Sequence, residues 1–129
     1  PNGGYGFKLI ENGRSLVFIP DNELRFRHKG GLARRDYVEF CRGADLLLHD
    51  AQYTEAEYRR TRGWGHCTTN DTVKLALAAR VKRLGLFHHD PDRTDDELDR
   101  LLAKTRREIK RTGKPLDCFA CAEGMELEV

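Results

Sequence analysis

The sequence predicts an α/β domain, with buried strands alternating with helices and delivering polar side chains to one rim of a mixed sheet. Three apolar runs end in a carboxylate or imidazole: Phe18-Ile19-Pro20-Asp21, Leu46-Leu47-Leu48-His49-Asp50 and Leu86-Phe87-His88-His89-Asp90. Helix-opening signatures fall between and after the later runs, giving the order strand, helix, strand. With 129 residues and 39% hydrophobic content, the chain has the size and apolar share of one ordinary domain, so residues 1–129 are expected to form a single unit. If the runs lie side by side, Asp21, His49, Asp50, His88, His89 and Asp90 reach the rim where such sheets bind ligands.

The elements follow in order. Tyr5, Phe7 and Leu9 alternate with Gly6 and Lys8, Glu11-Asn12-Gly13-Arg14 supplies a turn, and Ser15 to Ile19 resumes the extended run. Asn-Gly favours the positive backbone angles of a type I′ turn, so this is a β-hairpin. Pro20 ends the pairing and exposes Asp21. Lys29-Gly30-Gly31 reads as a loop, and Tyr37, Phe40 and Cys41 share a helical face that Gly43 terminates. Asp45 to His49 is a buried strand.

Thr54 with Glu57, Thr68 with Asp71, and Thr94 with Glu97 have capping-box spacing and open three helices. Leu84 to Phe87 returns to strand between the second and third of these. In the last and longest helix Leu98, Leu101, Leu102 and Ile109 form the apolar stripe, and the Arg, Lys and Asp residues read as a solvated face. Gly113 and Pro115 end it. Leu116 to Ala122 then reads as another strand, and Glu123-Gly124 turns into the alternating Met125-Glu126-Leu127-Glu128-Val129.

The 23 basic and 21 acidic residues give a net charge of only +2, so composition implies neither nucleic-acid nor membrane adhesion. The absence of a membrane-length apolar segment and of a secretory pattern leads to a cytoplasmic expectation. Cys41, Cys67, Cys118 and Cys121 lie in ordinary core-forming segments and are expected as free thiols. A start at Pro1 that runs almost directly into strand sequence leads to the expectation of a piece of a longer polypeptide.

Imidazole nitrogen and carboxylate oxygen suit zinc, manganese or iron, and strand ends hold them rigidly. Any one of these residues alone also fits a polar strand end meeting solvent. Recurrence on three strands favours a site. Asp90-Pro91-Asp92 equally fits a simple turn.

Val17-Phe18-Ile19-Pro20-Asp21, Ala44-Asp45-Leu46-Leu47-Leu48-His49-Asp50-Ala51-Gln52-Tyr53, Gly65-His66-Cys67-Thr68 and Leu86-Phe87-His88 resemble, in order and spacing, the later half of metallo-β-lactamase-fold hydrolases. The similarity is greatest to the phosphodiesterase and tRNA 3′-processing endonuclease branch. It implies the C-terminal half of an αββα sandwich, a mixed sheet with helices on one face, and metal-dependent hydrolysis of a phosphodiester at a dinuclear site in the intact protein. The implied cofactor is a divalent metal, zinc before manganese or iron.

By position, the resemblance makes Asp21 the bridging carboxylate and His88 the final histidine ligand. It makes His66 and Asp50 candidates for proton transfer, with Asp50 standing where the family has glutamate and Cys67 where it has serine. His49, Arg62, Trp64 and Thr68 fall on the implied substrate side. His66 also fits a loop histidine that tethers the next helix, and Arg59, Arg60, Arg62 and Trp64 also fit a solvent-facing helix end. The family's His-x-His-x-Asp-His cluster is absent, so the remaining ligands are expected from a missing N-terminal half, with a second copy of the chain as the other partner. The alternative is a non-catalytic structural or dimerisation module that keeps the fold without a complete metal site. Cys118-Phe119-Ala120-Cys121 has metal-site spacing, but on a strand its two thiols face opposite ways.

Overall fold

A computed structural model describes residues 3–129. Its five-stranded sheet has the order β1-β2-β3-β4-β5, with β1 (Phe7–Glu11), β2 (Arg14–Ile19), β3 (Leu46–Asp50), β4 (Arg83–Phe87) and β5 (Asp117–Ala120). β1 and β2 are the antiparallel hairpin, paired from Phe7↔Phe18 to Glu11↔Arg14, and the two-residue turn holds Asn12 and Gly13 at φ 48° and 77°. These are the left-handed angles that a type I′ turn requires. β2, β3, β4 and β5 pair in parallel, so their carboxyl ends meet at one rim. That parallel direction converts three separate polar endings into neighbours.

Four helices connect the strands: α1 (Arg34–Phe40), α2 (Glu55–Thr61), α3 (Thr69–Ala79) and α4 (Asp95–Arg111). The Thr54, Thr68 and Thr94 hydroxyls accept from the amides of Glu57, Asp71 and Glu97 at the starts of α2, α3 and α4. Each cap satisfies an N–H that the helix itself leaves unpaired. α3 ends on Arg80 in the left-handed region at φ 56°.

Side chains alternate along a strand, and the parallel register Val17↔Leu47↔Leu84↔Cys118 lines up one face of the sheet. These four residues are at most 2% exposed and pack with Cys41, Val73, Ala76, Ala79 and Ile109 from the helical layer. Burying a side chain of the Val or Leu type contributes about 1.5–3 kcal/mol each, so this layer carries the core. Helices on one face were expected, and they are found.

The opposite face carries Phe7 and Leu9 of β1 beside Phe18 and Leu16 of β2, then Leu48, Phe87 and Phe119. None of these belongs to the core cluster, and Phe7 and Leu9 are 55% and 59% exposed. Phe18 and Phe87 meet edge to face across this surface, with ring centroids 5.2 Å apart.

Two expectations need correction at the C-terminus. β5 is shorter than Leu116–Ala122, and Met125 to Val129 forms no strand. Among the described residues β5 pairs only with β4, and Met125 to Val129 does not add a ladder to its free edge. It turns instead, with the Met125 amide donating to the Ala122 carbonyl, and Arg83 Nη1 donates to the Glu128 carbonyl. The cysteines are free thiols as expected, and among the described residues no helix is long and apolar enough to cross a membrane.

Candidate metal centre

Asp21 follows the end of β2, Asp50 closes β3, and His88 follows β4 directly. His66 arrives from the loop between α2 and α3. One ligand atom from each of Asp21, Asp50, His66 and His88 lies within 4.8 Å of the others. The rim predicted from three apolar runs therefore exists, and four of the proposed site residues share it.

Two pairs make up the cluster. His88 Nε2 lies 3.0 Å from Asp21 Oδ1 at the more exposed side of the cluster. His66 Nδ1 lies 2.6 Å from Asp50 Oδ2, and the Asp50 side chain has no exposed surface. The His66 and His88 rings bring the pairs together, with centroids 4.5 Å apart and planes tilted by 35°. His88 adopts φ 58°, a left-handed backbone that a non-glycine residue holds only at a cost.

Asp50 is a buried carboxylate surrounded by donors. Oδ1 accepts from the amides of Cys67 at 2.9 Å and Gln52 at 3.3 Å, and Oδ2 accepts from Asn22 at 3.5 Å besides His66. Burial pushes its carboxyl above the ordinary carboxylate value, against the opposing pull of His66 and the backbone donors. Because a carboxylate can only accept, His66 donates from Nδ1 and its tautomer is fixed, with Nε2 left for other work.

The structure places His49 and Thr68, expected on the substrate side, where neither has any exposed surface. His49 pairs with Leu86 on the helix-packed face, whereas its neighbour Asp50 points the other way. Its Nδ1 donates to the Asp50 carbonyl at 2.7 Å and its Nε2 meets Asn22 Nδ2 at 3.1 Å. Burial pulls its pKa down to about 4, so it stays neutral. Thr68 is committed to capping α3, and its hydroxyl also donates to Asp71.

Arg62 and Trp64 do lie in the loop that leads to His66, and Trp64 is 63% exposed. Arg62 stands over the Phe26 ring at 5.7 Å, joining this loop to the one after β2. His89 turns aside and meets the Cys121 carbonyl at 3.1 Å. Asp90 accepts from the Asp92 amide, the local turn its sequence also allowed.

Sequence reasoning missed Glu23. Its buried carboxylate accepts from the Tyr58 hydroxyl at 2.6 Å, from the amides of Gly63 and Gly65 at 2.8 Å each, and meets His28 Nε2 at 3.2 Å. Burial pushes its pKa up, yet Tyr58, the two amides and His28 together hold it below the ordinary value. The available signal was an acid two residues after Asp21, just ahead of the basic stretch Arg25-Phe26-Arg27-His28-Lys29.

The donors suit a divalent cation, being two imidazoles and two carboxylates. His88 Nδ1 is buried and makes no hydrogen bond among the described residues, an uncommon state for a ring nitrogen in a polar cluster. Residues 2–89 match the family model described as β-lactamase superfamily domain. The chain belongs to this superfamily. Its metallo-β-lactamase fold stands near the tRNA 3′-processing branch: it is 30% identical over 108 residues to a ribonuclease Z of Thermoplasma acidophilum, covering 84% of this chain and 32% of that protein. A ribonuclease Z of Sulfurisphaera tokodaii is 37% identical over 121 residues, covering 88% and 40%.

Among solved structures, human tRNase Z, short form, superposes with a TM-score of 0.63 at 23% identity, covering 93% of this chain and 36% of that one. The metallo-β-lactamase fold protein YhfI from Bacillus subtilis gives 0.59 at 16%, covering 89% and 41%. At these identities the superpositions establish the fold. This superfamily chain thus spans about a third to two fifths of the length of these relatives.

Proposed function

We propose that the chain is the C-terminal half of a metal-dependent phosphodiester hydrolase. What carries this reading is the meeting of Asp21 with His88 and of Asp50 with His66, four residues from separate segments in one cluster. Asp21 and His88 would hold the metal, zinc before manganese or iron. When bound, a divalent ion supplies Lewis-acid stabilisation of phosphoryl charge and brings a water's proton loss toward neutral pH. The other ligands would come from polypeptide upstream of Pro1, whose sheet would cover the open Phe18–Leu48–Phe87 face.

His66 is assigned to the leaving group. As hydroxide oxygen adds to phosphorus and the bond to the leaving oxygen breaks, that oxygen takes the Nε2 proton of an imidazolium His66, which is left neutral with its Nδ1 proton donated to Asp50. Asp50, bonded at Nδ1, orients the ring and steadies its charged form. Arg62 and exposed Trp64 flank this position, suited to phosphate and base contact. A family relationship to ribonuclease Z proteins supports RNA as the phosphodiester.

The test uses the full-length protein. Asp21→Asn and His88→Ala are each expected to lower bound metal and to reduce hydrolysis of bis(p-nitrophenyl) phosphate by about a hundredfold or more. Full metal content together with full activity in either variant refutes the assignment. The open apolar face favours a second reading, a non-catalytic dimerisation module. A metal-free, inactive full-length dimer whose copies meet through that face would establish it instead.

A further inference from the structure

We infer that Glu23 is a positioning residue for His66, acting through the backbone of the loop that carries it. The inference rests on the reading of His66 as proton donor. Glu23 stands two residues after Asp21, and its side chain has no exposed surface. Oε1 accepts from the Tyr58 hydroxyl and the Gly63 amide, and Oε2 accepts from the Gly65 amide beside His28. One carboxylate thus ties α2, the loop after β2 and the turn before His66.

Besides Glu23, Arg62 over the Phe26 ring and one internal backbone bond hold that turn. Gly63 and Gly65 adopt φ 88° and 101°, conformations that side-chain-bearing residues rarely take. Between them the Trp64 side chain projects into solvent, and its amide bonds only within the turn, to the Thr61 carbonyl at 3.0 Å. The next residues, His66 and Cys67, are fastened to Asp50 by ring and amide. His66 is therefore suspended between two buried carboxylates, Glu23 on the entering side and Asp50 on the leaving side.

An apolar residue could fill the volume of Glu23, but it would leave the Gly63 and Gly65 donors unmet. Glutamine matches the shape and fails differently, since its amide nitrogen turns a donor toward donors. Either change frees the entering end of the loop while leaving every candidate metal ligand in place.

The experiment compares two substrates in the zinc-loaded full-length protein. Bis(p-nitrophenyl) phosphate releases a leaving group that needs no proton, whereas the dinucleotide uridylyl-uridine releases a ribose oxygen that does. Glu23→Gln is expected to lower kcat on the dinucleotide by about tenfold to a hundredfold, while kcat on the activated ester stays within about twofold and zinc content is unchanged. Tyr58→Phe removes a buried hydrogen bond to the same carboxylate but keeps both loop amides bonded; it is expected to lower Tm without separating the substrates.

Should Glu23→Gln not fold, Glu23→Asp keeps the charge, shortens the tether, and is read with the same two substrates. Equal loss on both, or no loss on either, in the folded variant overturns the inference. His66→Ala separates the two levels. If it loses the dinucleotide selectively and the Glu23 variant does not, Glu23 is merely structural and the role of His66 stands; if it shows no selective loss, the proton-donor reading fails and the inference with it.

Discussion

Gly85 sits in the middle of β4 where the open face of the sheet is tightest. A Cβ built there would lie 2.6 Å from Leu48 Cδ2, 2.8 Å from Cys121 Sγ and 3.1 Å from Phe119 Cε2. Gly85→Ala must push three side chains aside, and overpacking of this kind costs about 1–3 kcal/mol, to be read as a lower denaturant midpoint with unchanged slope. An unchanged midpoint would mean that these neighbours yield freely. Among the site residues, Asp21, Asp50, His66 and His88 were legible because each ends an apolar run or sits in a recognisable segment. His49 was not. One position separates it from Asp50, yet the two-residue period of a strand sends adjacent side chains to opposite faces, and apolar runs covered on both sides do not show which face is which.

The elements themselves were legible wherever local chemistry sets their ends. Asn12-Gly13 placed the hairpin, and the Thr-x-x-Glu signatures placed the starts of α2 and α4 where the caps are found. Thr94→Ala leaves an N-terminal amide of α4 without its acceptor and is expected to cost about 1 kcal/mol in chemical denaturation. The final alternating segment misled because alternation signals strand tendency, while a strand also needs a neighbour. At the opposite rim from the candidate metal centre, Asp45 joins three strand starts: it accepts from the Ser15 amide at 2.9 Å and from Lys82 Nζ at 2.7 Å. The Lys82 ammonium, and after it the Ser15 amide, hold its pKa down from 3.8 to about 2. A carboxyl depressed on folding stabilises above its unfolded value, and that contribution disappears as pH falls through the folded one. The stability advantage of the native chain over Asp45→Asn is therefore expected to be complete above pH 3.8 and to shrink toward pH 2, measured by thermal melts across that range. A pH-independent gap would remove the ionic contribution.

For the whole molecule, the asymmetry of the sheet decides behaviour. One face is closed by α1, α3 and α4, and the other presents Leu16, Phe18, Leu48, Phe87 and Phe119 beside the exposed Phe7 and Leu9 of edge strand β1. A contiguous apolar surface that includes a sheet edge attracts either a covering layer or another copy. The isolated 129-residue chain is therefore expected to self-associate, with light scattering showing a mass that rises with concentration. Lysine at both Phe7 and Leu9 places two charges on that face while leaving the helix-packed core untouched, and should shift the population toward monomer. The full-length protein should be indifferent in oligomeric state to dilution if its upstream half covers the same face. The charged pair would then lower its stability, because the lysines would be forced into an apolar contact. Full-length protein that tolerates both lysines without loss of Tm would show that the covering layer lies elsewhere, and any further donors to the candidate metal centre would have to approach its rim from another side.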